Sequence, residues 1–362
     1  MIGDFKYMVF TSCATYNHEN YIVDTMKGFI MQQTKFPVVY CIIDDASTDN
    51  NPSLIESYVK EYFTFDVPDA YEKFEEYGHE MYARHKSNEN CWFVVILLNE
   101  NHYSKKKSKL PYLTQWRSKA KYYAICEGDD YWIDARKLQK QVDILENHPG
   151  CTMVCNRTKL HSVRRDRIIG EQYCLNRNDY LDPKDVIRRG GLYISTCSIL
   201  YRTSIMDNYP DYCRNCLVGD YPLQIYCAMK GRIYYLNDIM SVYRIENNSS
   251  WMGTQKWGTI NEQRLKVIAS QVQMFKGFSR DYLSYERVFE EKVVQHIIWN
   301  MPFNLKGKIL DDYLLFFNKY IQNIGVKWKL IINIRKNNYR LLQRIVEKIF
   351  FSKFINTKTV YK

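Results

Sequence analysis

Short apolar runs alternate with amphipathic stretches along the first half of the chain. Residues 6–13, 38–43 and 92–98 are dominated by aliphatic and aromatic side chains, and such runs are typical of strands buried in a parallel sheet. Residues 21–33 carry apolar groups at helical spacing after the first run, and residues 52–63 do so after the second. The order strand, helix, strand, helix predicts a parallel α/β sheet with right-handed crossovers.

The second half continues this alternation and then becomes mainly helical from about residue 256. We predict one helix over 136–147, which stops at a Pro-Gly pair, and another from Asp220 that closes at Gly231. Residues 64–92 are charged and rich in tyrosine, and their periodicity is too weak to predict an element. Further strands are predicted at 151–156, 192–202, 233–236 and 239–244.

Two acidic clusters follow directly after predicted buried strands. Asp44 and Asp45 come after one strand, and Glu127, Asp129 and Asp130 come after an apolar run at 122–125. Clustered carboxylates at the end of a buried strand are costly without a positive partner. A divalent cation that bridges to a phosphate-bearing ligand meets this need, because hard cations take oxygen ligands. Parallel sheets bind ligands beyond the carboxyl ends of their strands, so these clusters predict metal-dependent chemistry on a phosphate compound.

Each acidic motif also fits a purely structural role. The Asp-x-Ser-Thr-Asp segment at 45–49 is a good turn and helix-capping sequence, and the acids at 127–130 suit the N-terminus of a helix. A single carboxylate such as Asp220 before a helix is more often a cap than a catalyst. In sugar transfer, however, one carboxylate must take the proton of the acceptor hydroxyl, and Asp220 is placed to do so. A run of lysines could contact a phosphate, but such a run is usually a solvated loop, and we adopt that interpretation for Lys105, Lys106, Lys107 and Lys109.

Composition narrows the class of protein further. A chain of 362 residues with 46% hydrophobic residues can bury a sizeable core, which excludes global disorder. The 11 cysteines are scattered and no signal-like segment precedes them, so we expect a reduced, cytoplasmic setting. The pairs Cys213/Cys216 and Cys151/Cys155 lack the spacing of a zinc site, and we expect buried free thiols there.

The basic charge is concentrated at the C-terminal end. Residues 301–362 hold 13 Lys and Arg against 3 Asp and Glu, and therefore +10 of the formal net charge of +11. Lys336, Arg340, Arg344 and Lys348 recur every four residues opposite an apolar face, which predicts a basic helix that suits an anionic membrane surface. A helix packed on its own domain with a charged outer face is the alternative. No apolar stretch is long enough to span a bilayer, so we expect a protein that is not integral to the membrane, and peripheral contact at the inner face of the membrane is one of these two interpretations.

Five motifs, in this order, resemble family-2 glycosyltransferases of the GT-A fold. The resemblance covers roughly residues 5–250 and rests on the order of the motifs, each of which is weak alone. The motifs are Thr15-Tyr16-Asn17-His18-Glu19, Ile43-Asp44-Asp45-Ala46-Ser47-Thr48-Asp49, Glu127-Gly128-Asp129-Asp130-Tyr131-Trp132, Val218-Gly219-Asp220-Tyr221-Pro222-Leu223, and Gly231-x-Ile233-Tyr234-Tyr235-Leu236 leading into Met240-Ser241-Val242-Tyr243-Arg244.

The resemblance implies an α/β fold and a transfer chemistry. The fold is a Rossmann-like mixed, mainly parallel sheet flanked by helices, with a helical C-terminal extension. Residues 1–255 would form the glycosyltransferase domain, with a nucleotide-binding half at 1–130 and an acceptor half at 131–255, and residues 256–362 would form a basic helical region. The implied partners are a nucleotide-sugar donor, a divalent cation (Mn²⁺ or Mg²⁺) and a saccharide or lipid-linked acceptor of surface-polysaccharide assembly, with inversion at the anomeric carbon.

The resemblance also assigns roles by position. Asp45 would read the base, a uracil, and Asp220 matches the catalytic base. Glu127 and Asp129 occupy the acidic positions of the metal-binding D-x-D element. The nucleoside pocket would be lined by Thr15, Asn17, Asp44, Asp45 and Glu127, the acceptor side by Asp130 and Trp132, and the diphosphate or metal would be contacted by Arg244 and Glu246.

The chain departs from the family pattern at three positions. Glu127 replaces the first Asp of the D-x-D element, and Gly219 stands where many relatives have a helper Glu before the base. Glu246 stands where relatives often have His, which weakens the expected contact to metal or diphosphate. Two other classes stay open. A sugar nucleotidyltransferase would need a Gly-rich phosphate loop, which is not seen before Gly28, and a membrane or nucleic-acid binding module would leave the acidic clusters without a role. No nucleic-acid partner is expected, and an oligomer is possible.

Overall fold

The computed structural model describes residues 5–246, 262–300, 308–322 and 324–336. The strands are β1 Tyr7–Thr15, β2 Val38–Asp44, β3 Phe63–Thr64, β4 Tyr71–Glu75, β5 Gly78–His85, β6 Cys91–Leu98, β7 Ala120–Ile125, β8 Tyr131–Trp132, β9 Cys151–Ser162, β10 Arg167–Gln172, β11 Asp179–Tyr180, β12 Leu200–Arg202 and β13 Arg232–Ile245. The helices are α1 Ile22–Ile30, α2 Asn51–Tyr62, α3 Leu110–Arg117, α4 Lys137–Asn147, α5 Pro183–Arg189, α6 Asp211–Arg214, α7 Asp220–Lys230, α8 Glu262–Asp281, α9 Glu286–Trp299, α10 Lys308–Phe316, α11 Asn318–Ile321 and α12 Val326–Lys336.

The strands form one mixed sheet in the order β11-β13-β9-β12-β7-β1-β2-β6-β5-β3. At its centre β7, β1, β2 and β6 run parallel, and β12 and β5 flank them in antiparallel orientation. Strand β1 lies between β2 and β7, so the chain crosses to opposite sides of β1 as it builds the sheet. This arrangement creates a switch point, and the loops that follow β1, β2 and β7 meet there.

Helices cover both faces of the sheet. Helices α1, α2 and α4 pack their apolar sides on one face, where the fully buried Phe29 stacks on Tyr40 of β2. Helices α3, α5 and α7 cover the other face, and α8 and α9 join the same hydrophobic core through residues such as Phe275 and Phe289. The C-terminal helices are therefore packed on the body of the protein. The predicted domain boundary at 255 lies outside the described residues.

The predicted elements of the central sheet and the helices between them are present within a few residues. Two regions differ. Residues 64–92 contain the hairpin of β4 and β5, which extends the sheet beyond β6. Residues 192–202 form a strand only at Leu200–Arg202, preceded by a short 3₁₀ turn at Thr196–Ser198. Leu192 is exposed, but the apolar side chains from Tyr193 to Tyr201 are buried, so the run predicted most of the burial correctly and a full strand wrongly.

All 11 cysteines are buried free thiols, in agreement with the prediction. Within the described ranges, no helix is long and apolar enough to cross a membrane. The predicted basic helix with Arg340, Arg344 and Lys348 lies outside the described residues.

Candidate active site

The loop after β2 is fixed by the Asp44 carboxylate. Its Oδ1 accepts the Ser47 amide at 2.8 Å, and its Oδ2 accepts the Ser47 hydroxyl at 2.5 Å and the Asn51 amide group at 2.6 Å. Asp44 is buried, and each of its oxygens is used by the loop or by the first turn of α2. The structure therefore gives Asp44 a framework role beside the predicted nucleoside pocket.

The neighbouring Asp45 is held by the loop that follows β6. Its Oδ1 accepts the backbone N–H of His102 at 2.8 Å. Its Oδ2 accepts the backbone N–H of Tyr103 at 3.1 Å and the Nζ of Lys109 at 2.7 Å. A carboxylate offers about four acceptor positions, so these bonds leave room for about one more donor. The expectation that Asp45 reads a base stays a prediction, and the structure limits it to one hydrogen bond.

Thr15 and Asn17 join the loops after β1 and β2. Asn17, in the left-handed region at φ 54°, donates its backbone N–H to the Ser47 hydroxyl at 2.8 Å and accepts the Thr48 N–H at 2.8 Å. Thr15 accepts a hydrogen bond from Asn51 at 3.1 Å. Both predicted pocket residues lie at the switch point and hold its loops together.

The turn after β7 packs tightly against Thr15. A Cβ at Gly128 would lie 2.5 Å from the Thr15 Oγ1 and 2.6 Å from its Cβ, so a side chain at this position would displace the turn. The Gly128 N–H bonds the carbonyl of Ala14 at 2.9 Å. These contacts bring Glu127 and Asp129 to the same edge of the sheet as the loop after β2.

Glu127 lies at the bottom of an open cleft. Its side chain is solvent-accessible, yet the surrounding protein removes much of its solvation, which is the combination expected of a group in a concave site. This loss of solvation, followed by repulsion from Asp129 and then Asp220, raises the pKa of Glu127 to about 7, and Lys109 opposes the rise. Asp129 of the same turn and Asp220 from a distant part of the chain therefore both act on Glu127.

The third carboxylate, Asp220, begins helix α7. It is partly accessible, and its Oδ2 accepts the Thr196 hydroxyl at 3.5 Å, while its Oδ1 accepts the Tyr221 N–H at 2.8 Å. Burial raises the pKa of Asp220, and the Tyr221 N–H partly offsets this rise. The predicted catalytic base thus lies within electrostatic range of Glu127.

Asp130 is enclosed below the cleft. It is 1% exposed, and its Oδ1 accepts the backbone N–H of Arg244 at 2.9 Å. Burial, followed by repulsion from Asp129, raises its pKa well above the ordinary value. The Arg244 guanidinium donates to the Asp129 carbonyl at 2.8 Å and to the Asp24 carboxylate at 2.5 Å. Arg244 therefore links the turn at 127–130 to helix α1, and the buried Asp130 stabilises this turn through its hydrogen bond with Arg244.

Trp132 is also part of the core. It is 1% exposed, its Nε1 donates to the Cys197 carbonyl at 2.8 Å, and the Nζ of Lys137 lies 4.2 Å from its ring centroid. The structure places neither Trp132 nor Asp130 on a surface open to an acceptor, because both are covered by packed neighbours. In place of the expected acceptor contact, both support the acidic turn. Glu246 is exposed, has φ 60°, and accepts a hydrogen bond from Ser162.

Three further residues lie at this site that the sequence did not indicate. His18 is buried with its Nε2 4.0 Å from Asp129 Oδ2, and burial lowers its pKa. The pKa of Tyr243 is raised by burial and then by Asp130, Glu127 and Asp129. Lys109 contacts Asp45. His18 and Tyr243 stand inside the quoted motifs, whereas nothing in the sequence separates Lys109 from the other lysines of its loop.

The acidic turn fits a divalent cation that shares its ligands with a substrate. Glu127 and Asp129 are oxygen donors whose mutual repulsion a cation would relieve. Within the part of the chain that the structure describes, no group of three or more His, Cys, Asp or Glu is arranged to hold a metal ion. Magnesium is usually held by one or two carboxylates plus substrate phosphates, and the two carboxylates here match that pattern.

Comparisons with known proteins give relatives of no stated function and a shared fold. No family model matches the chain. It is 31% identical over 241 residues to "Uncharacterized protein Rv1520" of Mycobacterium tuberculosis and to "Uncharacterized protein Mb1547" of Mycobacterium bovis. The match covers 66% of this chain and 58% of theirs, so the chain spans somewhat more than half the length of these relatives.

Two solved structures are similar to this chain at low sequence identity. The mannosyltransferase PcManGT from Pyrobaculum calidifontis, in complex with GDP-Man and Mn²⁺, matches with a TM-score of 0.51 at 12% identity, over 96% of this chain and 86% of that one. S. aureus TarS 1-349 in complex with UDP-GlcNAc matches with a TM-score of 0.47 at 13% identity, over 96% and 92%. The likeness to the mannosyltransferase confirms the predicted fold class, a mixed, mainly parallel sheet of GT-A type flanked by helices.

Proposed function

We propose that this protein is an inverting family-2 glycosyltransferase that moves a sugar from a UDP-sugar to a saccharide or lipid-linked saccharide acceptor in surface-polysaccharide assembly. The observation that carries the proposal is that Asp129 and Asp220 both repel Glu127, which lies beyond the carboxyl end of a parallel strand. In α/β proteins this edge is where ligands bind. A nucleotide-sugar enzyme of the same fold, PcManGT, supports the assignment by analogy.

The donor would lie across the switch point. Thr15, Asn17, Asp44 and Asp45 form the framework beside the nucleoside, with Asp45 offering its remaining acceptor position to a base N–H. Glu127 and Asp129 would hold Mg²⁺ or Mn²⁺. A divalent cation there supplies Lewis-acid stabilisation of the departing diphosphate.

Asp220 would act as the general base. Its carboxylate takes the proton of the acceptor hydroxyl as that oxygen bonds to the anomeric carbon, and the bond from this carbon to the diphosphate oxygen breaks. Attack from the face opposite the diphosphate inverts the configuration. The raised pKa of Asp220 makes it a stronger base than an ordinary Asp while it remains ionised above that pKa. Arg244 would keep the acidic turn in place during the reaction through its contacts to Asp129 and Asp24.

A donor screen tests the proposal. Purified protein is incubated with UDP-sugars and with GDP-mannose, with Mn²⁺ or Mg²⁺ and in parallel with a chelator, and nucleotide release is measured. We expect slow, metal-dependent hydrolysis of at least one UDP-sugar. Release that is indifferent to chelator, or no release from any donor, would contradict the proposal. Preference for GDP-mannose would correct the base while retaining the reaction.

We also propose that the basic C-terminal end brings the enzyme to the cytoplasmic membrane surface. Sedimentation with vesicles containing anionic lipid tests this for the full chain and for a variant with Lys336, Arg340, Arg344 and Lys348 changed to Gln. We expect the variant to stay in the supernatant. A control with Lys105, Lys106 and Lys107 changed to Gln should sediment like the wild type. Equal sedimentation of all three proteins would refute the membrane role of the basic end.

A further inference from the structure

One lysine of the basic loop after β6 differs from its neighbours. Lys105 and Lys107 have half-exposed side chains, and both pair with Glu100 on the outside of the loop. The Lys109 side chain is only 24% exposed, and its Nζ lies 2.7 Å from Asp45 Oδ2. Lys109 therefore points to the switch point of the sheet, whereas Lys105 and Lys107 lie on the outside of the loop.

Lys109 stands between the two acidic parts of the cleft. Asp45, at the end of β2, already accepts the backbone N–H groups of His102 and Tyr103, so its position in the loop does not depend on Lys109 alone. The positive charge of Lys109 also acts on Glu127, at the end of β7. Its ammonium group is thus close enough to act on Asp45, the residue predicted to bind the base, and on Glu127, a predicted metal ligand.

A bound nucleoside diphosphate would extend from Asp45 to Glu127 and Asp129. Its base would lie at Asp45 and its phosphates would extend towards Glu127 and Asp129, which would repel them together with Asp220. Glu127 and Asp129 would hold a divalent cation, which would compensate the charge of one end of the diphosphate. The end nearer Asp45 needs another positive group, and Lys109 is the basic side chain in contact with Asp45.

We propose that Lys109 binds the diphosphate of the nucleotide-sugar donor, exchanging its contact with Asp45 for one with a phosphate oxygen; this inference rests on the proposed function. The exchange frees an acceptor position on Asp45 Oδ2 for the base as the phosphate arrives. When the bond between the anomeric carbon and the diphosphate breaks, the electron pair stays on the diphosphate oxygen, and the Lys109 ammonium stabilises that charge without losing its proton.

Nucleotide binding separates this role from a purely structural one. The affinities of uridine, UMP and UDP are measured by titration calorimetry, in the presence of Mg²⁺, for the wild type and for Lys109→Met and Lys109→Arg. We expect Lys109→Met to weaken UDP on the order of ten-fold or more, because a charge-assisted hydrogen bond is lost. Uridine should bind with nearly unchanged affinity, and Lys109→Arg should retain most of the UDP affinity. Lys107→Met is the matched control, since it removes a charge from the same loop outside the cleft.

The outcomes that overturn the inference are distinct from failure of the proposed function. Equal UDP affinity in Lys109→Met and the wild type would overturn it, and so would an equal loss for uridine and UDP, which would mean that Lys109 only fixes Asp45. In either case, metal-dependent donor hydrolysis by the wild type would leave the proposed function standing. If the wild type binds neither UDP nor GDP and hydrolyses no donor, the proposed function itself fails. Thermal unfolding of each variant shows whether it is folded, and Lys109→Arg keeps the test valid if Lys109→Met is not.

Discussion

Two acidic loops of this protein look alike in sequence and differ in their electrostatics. Both follow a buried strand of the parallel sheet, and both place carboxylates at the switch point. In the loop after β2, Asp44 and Asp45 accept hydrogen bonds from Ser47, Asn51, the amides of residues 102 and 103, and Lys109. In the turn after β7, Glu127 instead meets the repulsion of Asp129 and Asp220.

This difference indicates that the loop after β2 has a structural role and that the turn after β7 has a role in binding or catalysis. Carboxylates that accept several hydrogen bonds are stabilised in their charged form and hold the surrounding backbone in place. Carboxylates that repel one another store electrostatic free energy that a cation or a proton can release, and such groups are typical of functional sites. We therefore interpret the loop after β2 as the rigid side of the cleft and the turn after β7 as its reactive side.

The largest expected effect is on sugar transfer, and it comes from Asp220, the proposed general base. Asp220→Asn removes the proton acceptor while keeping the shape of the side chain, and we expect transfer to fall by about 10² to 10⁴-fold. UDP should bind at least as tightly as to the wild type, because the change removes a carboxylate that would repel the phosphates. Transfer assays and calorimetry measure the two quantities.

Asp182→Asn is the matched control for this change. Asp182 also stands at the start of a helix, where its side chain accepts the Lys184 N–H at 2.8 Å, so it caps α5 outside the cleft. Asn caps a helix nearly as well as Asp, and activity should be retained. If Asp220→Asn retains transfer as fully as Asp182→Asn, Asp220 is a cap and the assigned base is wrong.

A substitution in the loop after β2 should lower the free energy of unfolding. Asp44→Ala leaves the Ser47 and Asn51 donors without their acceptor in a buried loop, and we expect unfolding to become easier by about 2–4 kcal/mol. Urea denaturation followed by tryptophan fluorescence measures this loss. A stability unchanged from wild type would mean that the loop after β2 is held by other contacts, and the contrast between the two loops would lose its basis.

The parallel core of the fold was predictable from hydrophobic pattern, and the edge hairpin was not. The strands 38–43 and 92–98 are apolar on both faces, so their burial is evident from the residues alone. Strand β5 buries Glu80 and His79, which look like surface residues in the sequence. Glu80 is buried because the hydroxyls of Tyr71 and Tyr77 bond its carboxylate, a pairing that depends on the folded hairpin.

The candidate site shows the same limit of sequence information. The motifs indicated Glu127, Asp129 and Asp220, and in the structure the last two act electrostatically on Glu127. They did not indicate that Trp132 lies in the core, since an aromatic residue beside an acidic turn fits a sugar platform equally well. Nor could local sequence show that Lys109 reaches Asp45, because this contact depends on how the loop after β6 folds back over the end of β2.

A substitution in the turn after β7 should instead raise the stability of the protein, opposite to the effect of Asp44→Ala. Glu127→Gln removes a carboxylate that Asp129 and Asp220 repel, so in the absence of divalent metal at pH 8 the variant should be more stable than the wild type. We expect a gain below about 1 kcal/mol, because solvent screens an accessible carboxylate. Donor hydrolysis should fall at the same time. A loss of stability like that of Asp44→Ala would show that Glu127 is a framework residue as well.

The smallest expected effect is the pH dependence that this repulsion creates. Glu127 has a pKa of about 7 in the folded protein against an ordinary value of 4.5, so the folded state binds its proton more tightly than the unfolded state. Stability without metal should therefore decrease as the pH rises from 4.5 to about 7, and Glu127→Gln should lack this part of the slope. Mg²⁺ should stabilise the wild type more at pH 8 than at pH 5, because the cation binds the ionised carboxylates. Thermal unfolding across this range, with and without Mg²⁺, measures both effects, and identical slopes for the two proteins would place the repulsion elsewhere than at Glu127.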